Sequence, residues 1–219
     1  RMKARKLLFV TYHFPPSGAV SCVRTWNIAK YLTRAGWTVS VLTVDPSLLR
    51  NIEHPQQWEN RFSVEGIRRL ASGHRWRWLP AGSVKCSNHG LSWLLGGIGR
   101  RAAKLMGCDV SVGWIRPAVR AGAHLMPQDV DIILASGPPF STFVLAQRLA
   151  ERLRCPYVLD YRDLWSRNPY NLVPSAISRE SSVIAGSAAV TTVSPTWARV
   201  IDLQFRVGTK LQVVSNGYD

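Results

Sequence analysis

Acid is scarce in this sequence. Thirteen aspartates and glutamates stand against 28 lysines and arginines, giving a formal charge of +15 and a pI near 10.5. Such an excess marks either a solvated basic surface or an anionic partner, whether nucleic acid, a phosphorylated substrate or an acidic membrane. Paired cysteines are missing as well. Cys22, Cys86, Cys108 and Cys155 make no C-x-x-C motif, which excludes a disulfide framework and fits a reducing compartment. Cys86 and His89 have the spacing of half a zinc site, but no second half follows, so no metal is expected. No stretch reads as a signal peptide, and none reaches the length of a membrane-spanning helix. Neither G-x-G-x-x-G nor G-x-x-x-x-G-K-[ST] occurs. Asp45 is the only acid closing a second strand, and Pro46 follows it at once. A dinucleotide site is therefore poorly supported.

What is present is a repeated alternation of strand and helix. Of the 219 residues 46% are hydrophobic, enough for a sizeable core. Leu7 to Thr11 is a continuous apolar run, the pattern of a strand buried on both faces of a parallel sheet. Ser21 to Ala35 has helical periodicity, with Cys22, Thr25, Ile28, Ala29 and Leu32 on one stripe and Gly36 as the stop. "WTVSVLTV" follows as a β-branched strand. The rhythm returns with "DIILAS", a helix over about 141–154, then "PYVLDY", "AVTTVS", a helix over about 195–205 and "LQVVSN". Alternation of this kind predicts an α/β fold, a doubly wound, mainly parallel Rossmann-like sheet with helices on both faces. The whole chain, 1–219, reads as one such domain.

The middle, about 46–128, reads as an irregular insertion with "GIRRL" as a short strand. His54, Trp58, Trp76, Trp78, Trp93 and Trp114 are scattered there among arginines, a mixture that can stack on bases. No RNA-recognition, KH or zinc-finger pattern accompanies them, so no nucleic acid is expected. Residues 91–106 place Leu91, Leu94, Leu95, Ile98, Leu105 and Met106 on one helical face, with Arg100, Arg101 and Lys104 on the flank. This suits either an interfacial helix beside anionic lipid or a helix packed on protein.

In an open parallel sheet, ligands bind outside the carboxyl ends of the strands. Every unusual stretch of the chain falls there. "HFPPSGA" breaks the first strand before its helix, where Gly18 allows a tight turn with positive φ and the helix start offers N–H groups to an anion; a plain turn is the alternative. "ASGPPFS" follows a strand with two prolines, and Ser141 or Thr142 stands ready to cap the next helix. "LDYRDLW" sets Arg162 between Asp160 and Asp163, as a polar cluster of a cleft or as a structural salt bridge. "VVSNGYD" ends the chain on an Asn216-Gly217 turn.

These stretches occur in an order that resembles the N-terminal half of a family 4 glycosyltransferase of the GT-B fold, similar to bacterial enzymes that build surface or capsular polysaccharide on lipid carriers. The likeness is carried by "LLFVTYHFPPSGAVSCVRTWNIAKYLTRAGWTVSVLTV", "WIRPAVRAG", "DIILASGPPFSTFVLAQRLA", "PYVLDYRDLWSRNPY", "AVTTVSP" and "VVSNGYD". It implies a hexosyltransferase that retains anomeric configuration, uses no bound cofactor or metal, and takes a nucleotide sugar, a UDP- or GDP-sugar. Ser17 and Gly18 would lie by the donor diphosphate; relatives carry a second glycine where this chain has Ala19. Some relatives have a histidine where Ser136 stands. Asp163 and Arg162 are then the candidate catalytic groups, and Arg24 and Arg116 the candidates for a lipid-diphosphate-linked saccharide acceptor. The resemblance also implies that a C-terminal nucleotide-sugar domain is absent from these residues, that the fragment alone is inactive, and that the enzyme works in the cytoplasm, peripherally on the inner face of the membrane. The alternatives are a non-enzymatic binding module of the same fold and a basic nucleic-acid-binding domain.

Overall fold

The alternation of apolar strands and amphipathic helices resolves into a single parallel sheet. In a computed structural model that describes residues 4–49, 51–52, 54–75, 107, 109, 111–169 and 173–217, seven strands run in the order β3-β2-β1-β4-β5-β6-β7. They are β1 (Lys6–Thr11), β2 (Thr38–Val44), β3 (Arg68–Ser72), β4 (Ile132–Gly137), β5 (Tyr157–Tyr161), β6 (Ala189–Thr192) and β7 (Leu211–Val213). All neighbouring pairs are parallel. The order reverses between β2–β1 and β4, so the crevice expected at a topological switch lies at the carboxyl ends of β1 and β4.

Helices cover the two faces unequally. α1 (Ser21–Arg34) and α2 (Pro55–Glu65) lie over β1 and β2, where Leu7, Phe9, Trp26, Ala29, Val39, Val41 and Phe62 form a small core. α3 (Val112–Ala121), α4 (Ser141–Leu153), α5 (Ile177–Gly186) and α6 (Pro195–Phe205) pack on the other face around Leu8, Val10, Trp114, Phe143, Leu159 and Val190. Parallel strands are normally covered on both sides. Among the described residues, the helices that follow β4, β5 and β6 all go to one side. Among the described residues no helix following β4 to β6 covers the α1 side of β5 and β6, and a cavity lies there.

The region that reads as irregular in the sequence holds α2, β3 and α3 among its described residues. α2 is hard to read because Phe62 is its only fully buried residue. α3 is disguised by a proline at its sixth position, Pro117. A helical proline leaves the carbonyl four residues earlier without its N–H. Here that carbonyl, Gly113 O, accepts from the Arg75 amide at 3.1 Å, so the chain leaving β3 completes the helix. Trp114 then locks α3 to the sheet: its indole N–H donates to Ser72 Oγ at 2.6 Å, and its ring meets Tyr12 edge-on. Trp114 is fully buried, and Trp58 packs on Trp26 and Phe62. Neither is a platform for bases. Trp76, Trp78, Trp93, Cys86, His89 and the 91–106 segment lie outside the described residues.

Candidate functional site

Three loops leave the carboxyl edge of the sheet at its centre. The first, after β1, is braced rather than free. Ser17 N donates to Phe14 O at 3.1 Å and Gly18 N to Asn51 O at 3.0 Å, while Ser17 forms an isolated bridge with Ile52. Ser17 Oγ lies 3.3 Å from His13 Nδ1. Gly18 does not adopt the positive φ that the sequence suggests; it is absent from the left-handed residues, which include Gly36 and Gly66. The pairing with 51–52 holds it in ordinary backbone instead. α1 begins at Ser21, after Val20, with no side-chain cap and no acid in its first turn. Cys22 N and Val23 N already donate to Ala19 O at 2.8 Å and Val20 O at 3.3 Å, so what the start of this 14-residue helix offers is the positive end of its dipole.

The second loop, "GPPF", starts α4. Neither Ser141 nor Thr142 serves as the expected side-chain cap. Thr142 Oγ1 donates instead to Pro139 O at 2.8 Å. The acceptor for the helix start comes from afar: Asp109 Oδ2 accepts from Ser141 N at 2.9 Å, and Asp109 Oδ1 from Ser111 N at 2.9 Å. Burial raises the pKa of this carboxyl, partly opposed by those amide bonds.

The third loop carries Arg162 and Asp163, and it separates the sequence's acidic pair. Asp160, almost wholly buried, is paired with Arg24, not Arg162. Arg24 donates Nη2 to Oδ1 at 2.8 Å and Nε to Oδ2 at 3.3 Å. Asp160 also accepts from Ser136 Oγ at 2.8 Å and from Thr191 Oγ1 at 2.9 Å. A carboxylate so satisfied is a structural hub. The salt bridge weighed for Arg162 in the sequence is not formed among the described residues; Asp160 pairs instead with Arg24, 136 positions away. Arg24 also reaches Val214 O at 3.1 Å and Asn216 Oδ1 at 3.0 Å, so its fork is engaged by protein. Asp163 turns into its own loop, accepting from Leu164 N at 2.8 Å and Asn168 Nδ2 at 3.0 Å.

Arg162 is different. One Nη donates to Pro138 O, and its amide to Gly137 O at 2.9 Å, but its buried Nε has no acceptor among the described residues. Burial pulls its pKa below the usual guanidinium value, an effect opposed by Asp160 and deepened by Arg24. Arg162 in turn helps burial depress His13, whose pKa falls to about 4. His13 is therefore a neutral imidazole at pH 7. The sequence displays His13 at the strand break, yet only the fold puts it beside Arg162.

A cavity of about 790 Å³ is lined by Val20, Val23, Arg24, Ile28 and Tyr31 at and along α1, by Leu134, Asp160 and Thr191 of the sheet, and by Arg162 and Ser215 to Gly217. Of the predicted site residues, Arg24 and Arg162 meet here. Ser17 and Gly18 stand in the loop leading to its α1 wall, Asp163 is not on its lining, and Arg116 lines separate concavities with Arg75.

This fold has counterparts among known proteins. The family described as glycosyl transferase 4-like domain matches residues 22–217. The chain belongs to that family. As a glycosyltransferase domain it shares the GT-B-type fold of several solved structures. Sucrose-phosphate synthase from Thermosynechococcus elongatus superposes with a TM-score of 0.60 at 12% identity, over 98% of this chain and 49% of that one. The calicheamicin glycosyltransferase CalG4 gives 0.55 at 13%, over 98% and 53%. HepE from Anabaena, solved with UDP-glucose, gives 0.53 at 15%, over 98% and 44%. The glycosyltransferase domain thus spans about half the length of these neighbours. No curated protein matches the sequence. Among the described residues of this glycosyltransferase domain, no group of three or more His, Cys, Asp and Glu side chains could hold a metal ion.

Proposed function

We propose that this glycosyltransferase domain is the acceptor-side half of an enzyme that moves a sugar, with retention, from a nucleotide sugar to a lipid-diphosphate-linked saccharide in surface polysaccharide synthesis. The reading rests on one observation above all: Arg162, on the lining of the cavity, keeps a buried Nε–H with no acceptor among the described residues. A buried donor left unpaired costs about 1–3 kcal/mol, and a phosphate oxygen would answer it in charge and geometry. The start of α1, uncapped and free of acid, supplies a second positive element for the donor diphosphate. Neutral His13 beside Ser17 can accept or pass a proton at the same edge, while the departing phosphate takes the acceptor's proton. Arg24 would orient Arg162's surroundings through Asp160 and complete the acceptor side. A second lobe bringing the nucleotide would close over the open rim. HepE was solved with UDP-glucose, which favours a UDP-sugar as the first donor to try. The enzyme would act on the cytoplasmic face of the membrane, held there by its positive surface; among the described residues no helix is long and apolar enough to cross a bilayer.

The test is kinetic. Full-length enzyme is assayed with UDP- and GDP-sugars and polyprenyl-diphosphate saccharides. Arg162→Ala is expected to raise an acceptor or donor KM, or lower kcat, by on the order of 10²-fold, the worth of a charge-assisted hydrogen bond of about 2–3 kcal/mol. Kinetics unchanged within twofold would remove Arg162 from the site. Residues 1–219 alone are expected to transfer no sugar; measurable turnover by them would show that the clamp needs no second lobe.

A further inference from the structure

Beyond the cavity, the molecule carries a second cationic feature on its opposite, helical face. Two adjoining concavities of about 460 and 400 Å³ open where the chain leaves β3. Arg75, Arg116 and Arg120 line the first, and Arg75, Arg116, Arg148 and Arg179 the second. None of these guanidinium groups is paired with a carboxylate among the described residues, whereas Arg24, Arg34 and Arg69 each are. Like charges gathered without counter-ions repel one another, so the cluster persists because its backbone is held by other forces. Those forces are the bond of Trp114 to Ser72 and that of the Arg75 amide to the carbonyl freed by Pro117. The buried side of α3 fixes it to the sheet and the arginines take the outer side. Arg75, Arg116, Arg120 and Arg148 are exposed.

We infer that this surface is a docking face for an anionic bilayer. The occupant follows from the layout. The groups are spread across two basins fed by three helices and the chain leaving β3, not converged on one point, and so match many phosphates in a plane better than a single diphosphate. The face includes the carboxyl-edge residues Gly73 to Arg75, which puts a bound membrane beside the edge that carries the site. The inference rests on the lipid-linked acceptor proposed above, yet its test needs no acceptor. Arg116, a candidate for acceptor binding from the sequence, belongs geometrically to this face.

Binding of the full-length protein to phosphatidylglycerol–phosphatidylcholine vesicles without any saccharide carrier is measured by sedimentation. The variant Arg75→Gln/Arg120→Gln/Arg148→Gln removes three charges from the face and leaves Arg116 and the cavity alone. Each basic residue near an anionic surface is worth about 1 kcal/mol, so partitioning is expected to fall on the order of 10²-fold. A control with the same charge loss elsewhere, Arg5→Gln/Arg68→Gln/Arg199→Gln, is expected to lose under tenfold. The lysine triple at 75, 120 and 148 is expected to bind like the parent, since attraction to a charged plane needs charge and not a fork. Equal loss in both glutamine triples, no binding by the parent, or loss in the lysine triple would each overturn the inference. Saturable binding of inorganic diphosphate, abolished by the first triple, would assign the face to a small anion instead. Sugar transfer to a soluble acceptor analogue would test the proposed function separately.

Discussion

Arg24 and Asp160 are the residues on which the site's geometry depends. Their side chains are 12% and 2% exposed, and every oxygen of the carboxylate has a partner. Removing one member of such a pair strands the other, which typically costs about 3–5 kcal/mol. Asp160→Ala is therefore expected to lower the free energy of unfolding in urea by that amount, and Arg24→Met/Asp160→Leu by distinctly less. Equal losses would mean the pair itself, not the stranded charge, carries the stability. The two depressed histidines set a pH dependence. His13 and His74 have pKa values pulled to about 4, in both cases chiefly by burial. The unfolded chain protonates near 6.5 and so binds more protons between that pH and 4. Stability is thus expected to be full above about pH 6.5 and to fall as the pH drops towards 4. His74→Gln, followed by thermal melts at pH 7 and pH 4.5, should flatten this slope.

Elements meet through a few tight contacts. Gly107 has φ +64, and a Cβ there would lie 2.5 Å from Ser175 O and 2.7 Å from Ala176 Cα, both backbone atoms. Neither atom can yield without moving the turn that leads into α5. Gly107→Ala is expected to destabilise by about 2–4 kcal/mol, from overpacking together with the left-handed backbone. A melting temperature within 2 °C of the parent would refute the close approach. Glu180 on α5, buried with its pKa raised by that burial, accepts from Ser166 N at 2.9 Å and so steadies the loop bearing Arg162. Glu180→Ala is expected to cost about 1–3 kcal/mol and to raise substrate KM in the full enzyme more than it lowers kcat.

At the scale of the molecule, the two cores lie on opposite faces of one sheet and share β1, β2 and β4. They are expected to unfold together. Trp58 reports the α2 side and Trp114 the α3 side, so single-tryptophan variants followed through urea should give one midpoint. Two midpoints would show that α1 and α2 melt independently. Much of this architecture is legible locally. β1, α1 and β2 lie within a residue of their expected bounds, because buried parallel strands are apolar throughout and α1 keeps a strict stripe. α2 and α3 are obscured, the first by its weak stripe and the second by Pro117.

The sequence by itself determined the fold class, the family and the strand ends where chemistry could sit, since those depend on periodicity and on short runs of neighbouring residues. Only the tertiary structure decided who partners whom. It gave Asp160 to Arg24, left Arg162 with a donor unanswered among the described residues, set neutral His13 beside it and moved Arg116 to another face. Hydrogen bonds and charge pairing act over a few ångströms in space, and the chain crosses the sheet several times between the residues they join.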